Sequence, residues 1–335
     1  MLYINNDFHT DPYWNLAAEE YLLKNFTQPV FRLWRNENSI IIGHYQNAYA
    51  EIDINFVKQN GIKVVRRLTG GGAVFHDLGN LNFTFIEERN PNEDTSVMFR
   101  RFTAPIIGAL QNIGVDAYLE GRNDLLIDGR KFSGNAVCIH KNRILQHGTL
   151  LFDASMHNLG EALKARPEKF VGKAVQSNRS RVTNIKEHIP AGAQEITGIE
   201  SFWSYLEQYI CGKYPGITPY SFTDEDIKAI EKLRDEKYSL ESWNFGTSPS
   251  YSFSKTAKFA GGIVELYMSV EKGTIKDLKI MGDYFFTLPT EEFCKNIIGT
   301  QHTPEAVLEA ISQTGETNSY FSNITAQEIA SLFFE

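Results

Sequence analysis

The sequence is poor in cysteine, with only Cys138, Cys211 and Cys294 among its 335 residues. Because they are odd in number and far apart, a disulfide framework and a CxxC zinc site are excluded, and a reducing compartment is favoured. No stretch of about 18 consecutive apolar residues occurs. The opening MLYINNDFHTDPYW also lacks the basic leader and the apolar core of a signal peptide. We therefore expect a cytoplasmic protein without membrane contacts.

Positive charge is scarce as well. The chain has 33 Lys and Arg against 41 Asp and Glu, a net charge of −8, which argues against a protein that coats nucleic acid. Residues 164–186 are an exception, with 7 basic residues and 1 acidic residue. We expect no nucleic-acid partner, and this basic segment suits a smaller ligand that carries phosphate.

The length exceeds what one hydrophobic core usually fills, so we expect two domains. Strand and helix patterns are interleaved without a regular βαβ alternation, which predicts an α+β fold with a mixed, mostly antiparallel sheet flanked by helices. The segment SWNFGTSPSYSFS is rich in Gly, Ser and Pro and has no periodicity, as is typical of a boundary. We predict a large domain over 1–246, a linker over 247–253 and a small α+β domain over 254–335. Nothing in the sequence requires more than a monomer.

Two helix starts are well marked. Asp11 suits an N-cap and Pro12 the first helical position, because the fixed φ of proline fits there and its missing N–H is not needed. Thr223 is the expected N-cap of a second helix, which begins with three acidic residues.

Three consecutive glycines follow a predicted strand in RRLTGGGAVFHDLGN, residues 66–80. Glycines let backbone N–H groups approach a phosphate or a carboxylate, and arginines supply forked donors for its oxygens. The segment has no GK[ST] and leads into a strand instead of a helix, which excludes both the P-loop and the Rossmann fingerprint. The pattern indicates an anion site or, alternatively, a glycine-rich turn with incidental arginines.

Three further segments carry residues typical of ligand sites. Lys131 lies in GRNDLLIDGRKFSGNAVCIH, between a short apolar strand and the small residues 133–136. His147 and Gly148 begin the predicted strand QHGTLLFD, and SNRSRVTNI, residues 177–185, alternates short polar residues with arginines. From the residues alone, a solvated lysine, a core histidine and an exposed basic loop remain alternatives.

In this order and spacing, the segments resemble the lipoate-protein ligase A family. The resemblance rests on DPYWNLAAEEYLL, RR-x-TGGGAVFHDLGN, GRNDL with GRK-x-SG, QHGTLL, SRVTN and WNFG, and it extends over almost the whole chain. It implies a biotin/lipoate ligase-like fold in which the large domain is catalytic and the small domain is accessory. It leaves open whether lipoate or octanoate is preferred.

The resemblance implies a two-step reaction. The carboxylate of lipoate attacks the α-phosphate of ATP, which gives lipoyl-AMP and pyrophosphate. The amine of an acceptor lysine then takes the lipoyl group and releases AMP. The implied acceptors are the lipoyl domains of 2-oxoacid dehydrogenase E2 subunits and the glycine cleavage H protein.

The resemblance also implies roles for individual residues. Lys131 is the expected catalytic residue, which holds the carboxylate and the α-phosphate in contact. The expected contacts to ATP or the adenylate are Arg67, Gly72, Ala73, Val74, Phe75, Asp124, Ser177, Arg179, Arg181 and Thr183. The expected contacts to lipoate are Gly70, Gly71, His147 and Gly148. Asp124 is also expected to bind Mg²⁺, which prefers hard oxygen ligands.

Three other functions fit parts of this pattern. An octanoyltransferase needs a thiolate beside the lysine, but YLEGRNDLLIDGRK contains no cysteine and Cys138 comes after Lys131. A biotin-protein ligase would carry a GRGR-type phosphate loop where this chain has RRLTGGG. A carrier-binding module without catalytic activity would keep the fold and release no pyrophosphate.

Overall fold

The computed structural model describes the chain apart from residues 6–8, 47, 53, 156–181, 194, 215, 246–252, 272 and 335. The described residues form three β-sheets. Their strands are Leu2–Asn5 (β1), Val30–Trp34 (β2), Ser39–Ile42 (β3), Lys63–Arg66 (β4), Val74–His76 (β5), Asn80–Glu88 (β6), Ala117–Glu120 (β7), Asp124–Ile127 (β8), Arg130–His140 (β9), Arg143–Leu151 (β10), Thr218–Ser221 (β11), Phe253–Phe259 (β12), Gly262–Glu271 (β13) and Thr274–Tyr284 (β14).

Helices cover the sheets, and two of them begin where the sequence predicts a start. The side chain of Asp11 accepts from the Tyr13 amide and Pro12 is the first helical residue, while Thr223 and Asp226 form a capping box. The α-helices are Pro12–Asn25 (α1), Ala48–Glu51 (α2), Ile54–Gln59 (α3), Thr95–Asn112 (α4), Ile199–Lys213 (α5), Asp224–Leu233 (α6), Glu241–Asn244 (α7), Thr290–Ile297 (α8), Pro304–Gln313 (α9), Thr317–Tyr320 (α10) and Ala326–Ser331 (α11). None of these described helices is long and apolar enough to cross a bilayer.

The largest sheet has eight strands in the order β11-β1-β2-β6-β10-β9-β8-β7. β1 pairs in parallel with both β11 and β2, and the other neighbours are antiparallel. The mixed, mostly antiparallel sheet that the sequence predicts is therefore confirmed. His147 lies in the middle of β10 opposite Ala136, because that strand already begins at Arg143.

Each face of this sheet is buried under helices. On β2, Phe31 and Leu33 point into one core with aromatic residues of α4 and α5, whereas Val30 and Trp34 point into another core with α1 and α6. This alternation follows from the two-residue period of a strand, and burial of both faces explains why β2 is apolar almost throughout.

A second sheet, β4-β3-β5, carries the glycine-rich loop between β4 and β5. β3 pairs in parallel with β4 and antiparallel with β5. The loop, residues 67–73, is therefore held at both ends by neighbours of one central strand. We call it the TGGG loop.

The third sheet, β12-β13-β14, packs with α8 to α11 around its own core. Two aromatic residues each pack into the hydrophobic core of the opposite unit. Tyr45 joins the C-terminal core and stacks on Tyr284 with ring centroids 5.6 Å apart, while Phe285 joins the core under the large sheet. The backbone amide of Gly71 also donates to the carbonyl of Tyr284 at 3.3 Å. The C-terminal unit is thus docked against the TGGG loop.

Candidate active site

A cavity of about 290 Å³ lies between the TGGG loop, the large sheet and the C-terminal unit. One end is charged and lined by Arg122, Asp124, Lys131 and Asp283, which are all partly exposed, so this end is open. The other end is closed and mostly apolar. Its lining residues are each at most 6% exposed, and they are Trp34, Ile41, His76, Asn82 and Ala136. The cavity therefore suits a molecule with an anionic head and an apolar tail.

Lys131 lies on β9 at the open end. A register shift in the pairing of β8 with β9 inserts Phe132 as an extra residue, and its ring is fully buried in the core. The Lys131 amine contacts Asp124 Oδ1 at 2.7 Å, and both side chains are about two-fifths exposed, at 38% and 41%. An ion pair this exposed contributes about 0–1 kcal/mol. The amine can therefore turn toward a ligand at little cost.

Gly134 leaves the space in which the Lys131 side chain lies. A Cβ atom on this residue would be 3.0 Å from Lys131 Nζ and 3.2 Å from Cε. Both distances are shorter than ordinary van der Waals contact. The absence of a side chain at Gly134 thus sets the position of the Lys131 amine.

Arg67 organises the TGGG loop from within. Its guanidinium donates to the carbonyls of Gly70 at 2.7 Å and Gly72 at 2.9 Å, and Nε donates to Thr69 Oγ1 at 2.8 Å. Gly71 adopts a φ of 91°, which glycine reaches without a Cβ clash. Burial lowers the pKa of Arg67 to about 10, so the group still carries its charge at neutral pH. Arg67 therefore supplies positive charge beneath the loop while its donors hold the loop in shape.

Arg66 has a different position. It donates to the carbonyls of Gly43, His44 and Gln46 on one side and to those of Trp243 and Asn244 on the other. It does not line the cavity, so it acts as a tie between the β3–α2 connection and α7.

A buried network connects α1 to the TGGG loop through His147. The Nδ1 atom of this histidine lies 3.0 Å from Glu19 Oε2, and Nε2 lies 2.9 Å from Thr69 Oγ1. Arg67 cannot accept, so the Thr69 hydroxyl accepts from Arg67, and the Glu19 carboxylate accepts from Nδ1–H of His147. Both ring nitrogens of His147 are thus engaged. Sequence reasoning missed Glu19, although it lies in the NLAAEE segment.

The C-terminal unit forms one wall of the cavity at its charged end. Arg122 donates to the Gly261 carbonyl at 2.9 Å, and its guanidinium lies 4.0 Å from the centroid of the Phe285 ring. Phe285 and Asp283 both line the cavity. No local signal marks these two residues, since only the docking of the C-terminal unit brings them to the site.

The structure brings most of the predicted residues together. Those that line the cavity are Arg67, Gly71, Gly72, Ala73, Val74, Asp124, Lys131, His147 and Gly148. Gly70 lies behind this surface, where its carbonyl accepts from Arg67, and the Phe75 ring packs into the core of the second sheet. Thr183 is buried, with its amide donating to the Lys131 carbonyl at 2.9 Å and its hydroxyl 2.8 Å from His188 Nε2. Ser177, Arg179 and Arg181 lie outside the described residues.

The cysteines lie away from this site. Cys138 is 6% exposed and packs in the core beneath α1, where burial raises the pKa of its thiol. Cys211 and Cys294 also lie outside the described cavity lining. Within the part of the chain that the structure describes, no group of three or more His, Cys, Asp and Glu side chains is arranged to hold a metal ion.

Known proteins share this sequence and architecture. The family model "Lipoyl protein ligase A/B catalytic domain" matches residues 11–210, and "Bacterial lipoate protein ligase C-terminus" matches residues 248–333. Lipoate-protein ligase LplJ of Bacillus subtilis is 39% identical over 338 residues, which cover 100% of both chains. The crystal structure of P. falciparum LipL1 in complex with lipoate is similar with a TM-score of 0.76 and 26% identity, over 93% of this chain and 94% of that chain. Lipoate-protein ligase A bound with ATP is similar with a TM-score of 0.61 and 28% identity, over 73% of this chain and 97% of that chain.

Proposed function

The chain belongs to the lipoate-protein ligase family, and from that membership we propose that it activates lipoate with ATP and transfers the lipoyl group to a protein lysine. The observation that carries the proposal is the position of Lys131 Nζ at the charged end of a cavity whose other end is closed and mostly apolar. The acceptors we propose are the lipoyl domains of 2-oxoacid dehydrogenase E2 subunits and the glycine cleavage H protein.

The shape of the cavity supports one orientation of the substrate. Trp34, Ile41 and Ala136 form the closed end. Burying a methylene there contributes about 0.8 kcal/mol, so the acyl tail of lipoate enters first. Its carboxylate is then left at the open end, near the TGGG loop and Lys131.

The first step brings two anions into contact. At about 4 Å, two unit charges repel each other by roughly 1 kcal/mol in water and roughly 4 kcal/mol at the effective dielectric of a protein site. We propose that the Lys131 amine leaves Asp124 and donates to both the carboxylate and the α-phosphate. The carboxylate oxygen then attacks phosphorus, the bond to the β-phosphate oxygen breaks, and pyrophosphate leaves.

The TGGG loop is proposed to bind the reacting groups. In this proposal the backbone over 72–75 contacts the nucleotide, Arg67 acts on the nucleotide from beneath the loop, and Gly70 and Gly71 lie under the carboxylate. The charge of Arg67 attracts the phosphates through the loop, since its donors are occupied by loop carbonyls. Ser177, Arg179, Arg181 and Thr183 are proposed to contact the adenylate in the same way as their counterparts in the family.

We propose that Mg²⁺ accompanies ATP. Asp124 fits this role because it is a partly exposed carboxylate at the charged end, and Mg²⁺ is commonly held by one or two carboxylates together with substrate phosphates. Bound there, the ion would neutralise charge on the phosphates of ATP. Lys131 and Arg67 perform the remaining positioning.

The second step needs access for a protein lysine. Its neutral amine attacks the carbonyl of lipoyl-AMP, AMP leaves with the electrons of the anhydride bond, and the nitrogen loses a proton to solvent as the amide forms. Asp283 and Phe285 line the open end, so we propose that the C-terminal unit over 254–335 pivots about the linker over 244–253 after adenylation. Before that movement, the docked C-terminal unit shields one side of the anhydride from water.

Mass spectrometry tests the proposal. A lipoyl domain incubated with the protein, lipoate, ATP and magnesium should gain the mass of one lipoyl group, and biotin should not replace lipoate. Lys131→Ala should reduce pyrophosphate release by several orders of magnitude with an unchanged melting temperature. A lysine mutant that keeps a tenth of the wild-type rate would contradict the role of its amine, and a wild type that releases no pyrophosphate would favour a carrier-binding module.

A further inference from the structure

The closed end of the cavity contains two polar side chains that a purely hydrocarbon tail would not use. His76 is 3% exposed and Asn82 is 1% exposed, and both line the cavity beside Trp34. Among the described residues, His76 Nε2 and Asn82 Nδ2 have no hydrogen-bond partner. Buried polar atoms are nearly always paired, so two unpaired ones on residues that line a cavity point to a polar or polarisable atom in the ligand.

A chain of hydrogen bonds fixes which nitrogen of His76 carries the proton. Arg32, which can only donate, donates to Asn15 Oδ1, so the Asn15 amide nitrogen faces Asn36 Oδ1 at 2.9 Å. The Asn36 amide nitrogen is thereby turned toward His76 Nδ1 at 3.1 Å. Nδ1 must accept this bond, and the neutral ring carries its proton on Nε2. Because the Arg32 guanidinium cannot accept a hydrogen bond, it fixes the amide orientations of Asn15 and Asn36 and the tautomer of His76.

His76 stays neutral because of its surroundings. Burial lowers its pKa to about 3, and the positive charge of Arg67 acts in the same direction. His147 lines the same cavity, but both of its ring nitrogens are engaged with Glu19 and Thr69. Of these two histidines, only His76 therefore has an N–H to offer a ligand.

On the basis of the function proposed above, we propose that His76 is a specificity-determining residue whose Nε2–H donates to a sulfur of the lipoyl dithiolane ring. Asn82 Nδ2 supplies a second donor at the same end. Divalent sulfur is a weak acceptor and highly polarisable, whereas the terminal carbons of octanoate accept nothing. With octanoate bound, both donors would be buried and unpaired, so the cavity favours lipoate over a straight-chain acid of the same length.

Two measurements without ATP test this inference. Nitrogen-15 NMR of labelled protein should show the Nε2–H tautomer of His76 at neutral pH. Calorimetry should give tighter binding of lipoate than of octanoate, and His76→Phe should lower that preference about tenfold, which corresponds to about 1.4 kcal/mol. His76→Gln, which keeps an N–H donor, should retain most of the preference. His140→Phe is the matched control, since His140 lies at the far end of β9 outside the cavity lining.

The outcomes separate this inference from the proposed function. An Nδ1–H tautomer of His76 would contradict the chain of hydrogen bonds from Arg32 to His76. Equal loss of affinity for both acids in His76→Phe, or loss of the preference in His76→Gln as well, would show that the residue only shapes the cavity. Asn82→Leu, which should also lower the preference, keeps the inference open to test if His76→Phe does not fold. Failure of the proposed function would instead appear as the absence of pyrophosphate release, with the binding preference intact.

Discussion

Gly134→Ala separates the position of the Lys131 amine from its charge. The new methyl group would lie 3.0 Å from Nζ and 3.2 Å from Cε, so the end of the lysine must move by several tenths of an ångström. A displacement of about 1 Å at a reacting group costs roughly 10²-fold in rate, so we expect adenylation to fall by about 10- to 100-fold.

Folding should not suffer from this change. Gly134 does not have a positive φ, so the strand backbone accepts alanine there. The new methyl group would meet only the flexible end of the Lys131 side chain. The assay is single-turnover formation of lipoyl-AMP from lipoate and ATP, together with the melting temperature. Gly212→Ala on α5 is the matched control, because a Cβ there would meet nothing within 4 Å. A wild-type rate in Gly134→Ala would refute the idea that the position of this amine governs adenylation.

Three other outcomes follow from the same contacts. Cys138→Ser should keep lipoyl transfer within about twofold of wild type, since this buried thiol lies outside the cavity lining; near-total loss in the transfer assay would instead favour a thiol-dependent acyltransferase. Acid should destabilise the fold through His76. Its pKa is about 3 in the folded chain and about 6.5 when unfolded, so between these values the unfolded state binds the extra proton. The free energy of unfolding should therefore fall by about 1.4 kcal/mol for each pH unit below about 6. In urea titrations at pH 7 and pH 5, His76→Gln should not show this loss of stability. An equal loss in wild type and variant would contradict the burial of an uncharged ring. Arg122→Gln should loosen the C-terminal unit, because it loses the stack on Phe285 and weakens the bond to Gly261; AMP release without lipoyl transfer should rise, and an unchanged ratio of the two products would argue against a protective cover.

Local chemistry explains what the sequence predicts well. The Asp11 cap, the Pro12 start and the Thr223 capping box involve residues only a few positions apart, so their patterns determine these helix ends directly. The strand around Lys131 and the turn-rich TGGG segment are also local features. The mixed sheet could be predicted as a class for the same reason.

Non-local contacts explain what the sequence does not reveal. The parallel pairing of β11 with β1 joins segments from opposite ends of the large unit, and Phe285 reaches the cavity only because the C-terminal unit docks there. The role of Arg67 also depends on non-local contacts that the sequence does not reveal. The sequence predicts forked donors for a phosphate, but the buried carbonyls of the TGGG loop need donors and take them.

The tautomer of His76 is also beyond sequence reasoning. It depends on Arg32, Asn15 and Asn36, which lie on β2, on α1 and in the loop after β2. The VFHDLGN segment contains the histidine but none of these partners.

The central claim concerns one nitrogen atom, and a crystal structure with a stable analogue of lipoyl-AMP tests it most directly. We expect Lys131 Nζ to have left Asp124 and to lie within about 3 Å of both an α-phosphate oxygen and the oxygen derived from the lipoate carboxylate. A complex in which Nζ still contacts only Asp124, with the analogue bound elsewhere, would contradict the mechanism.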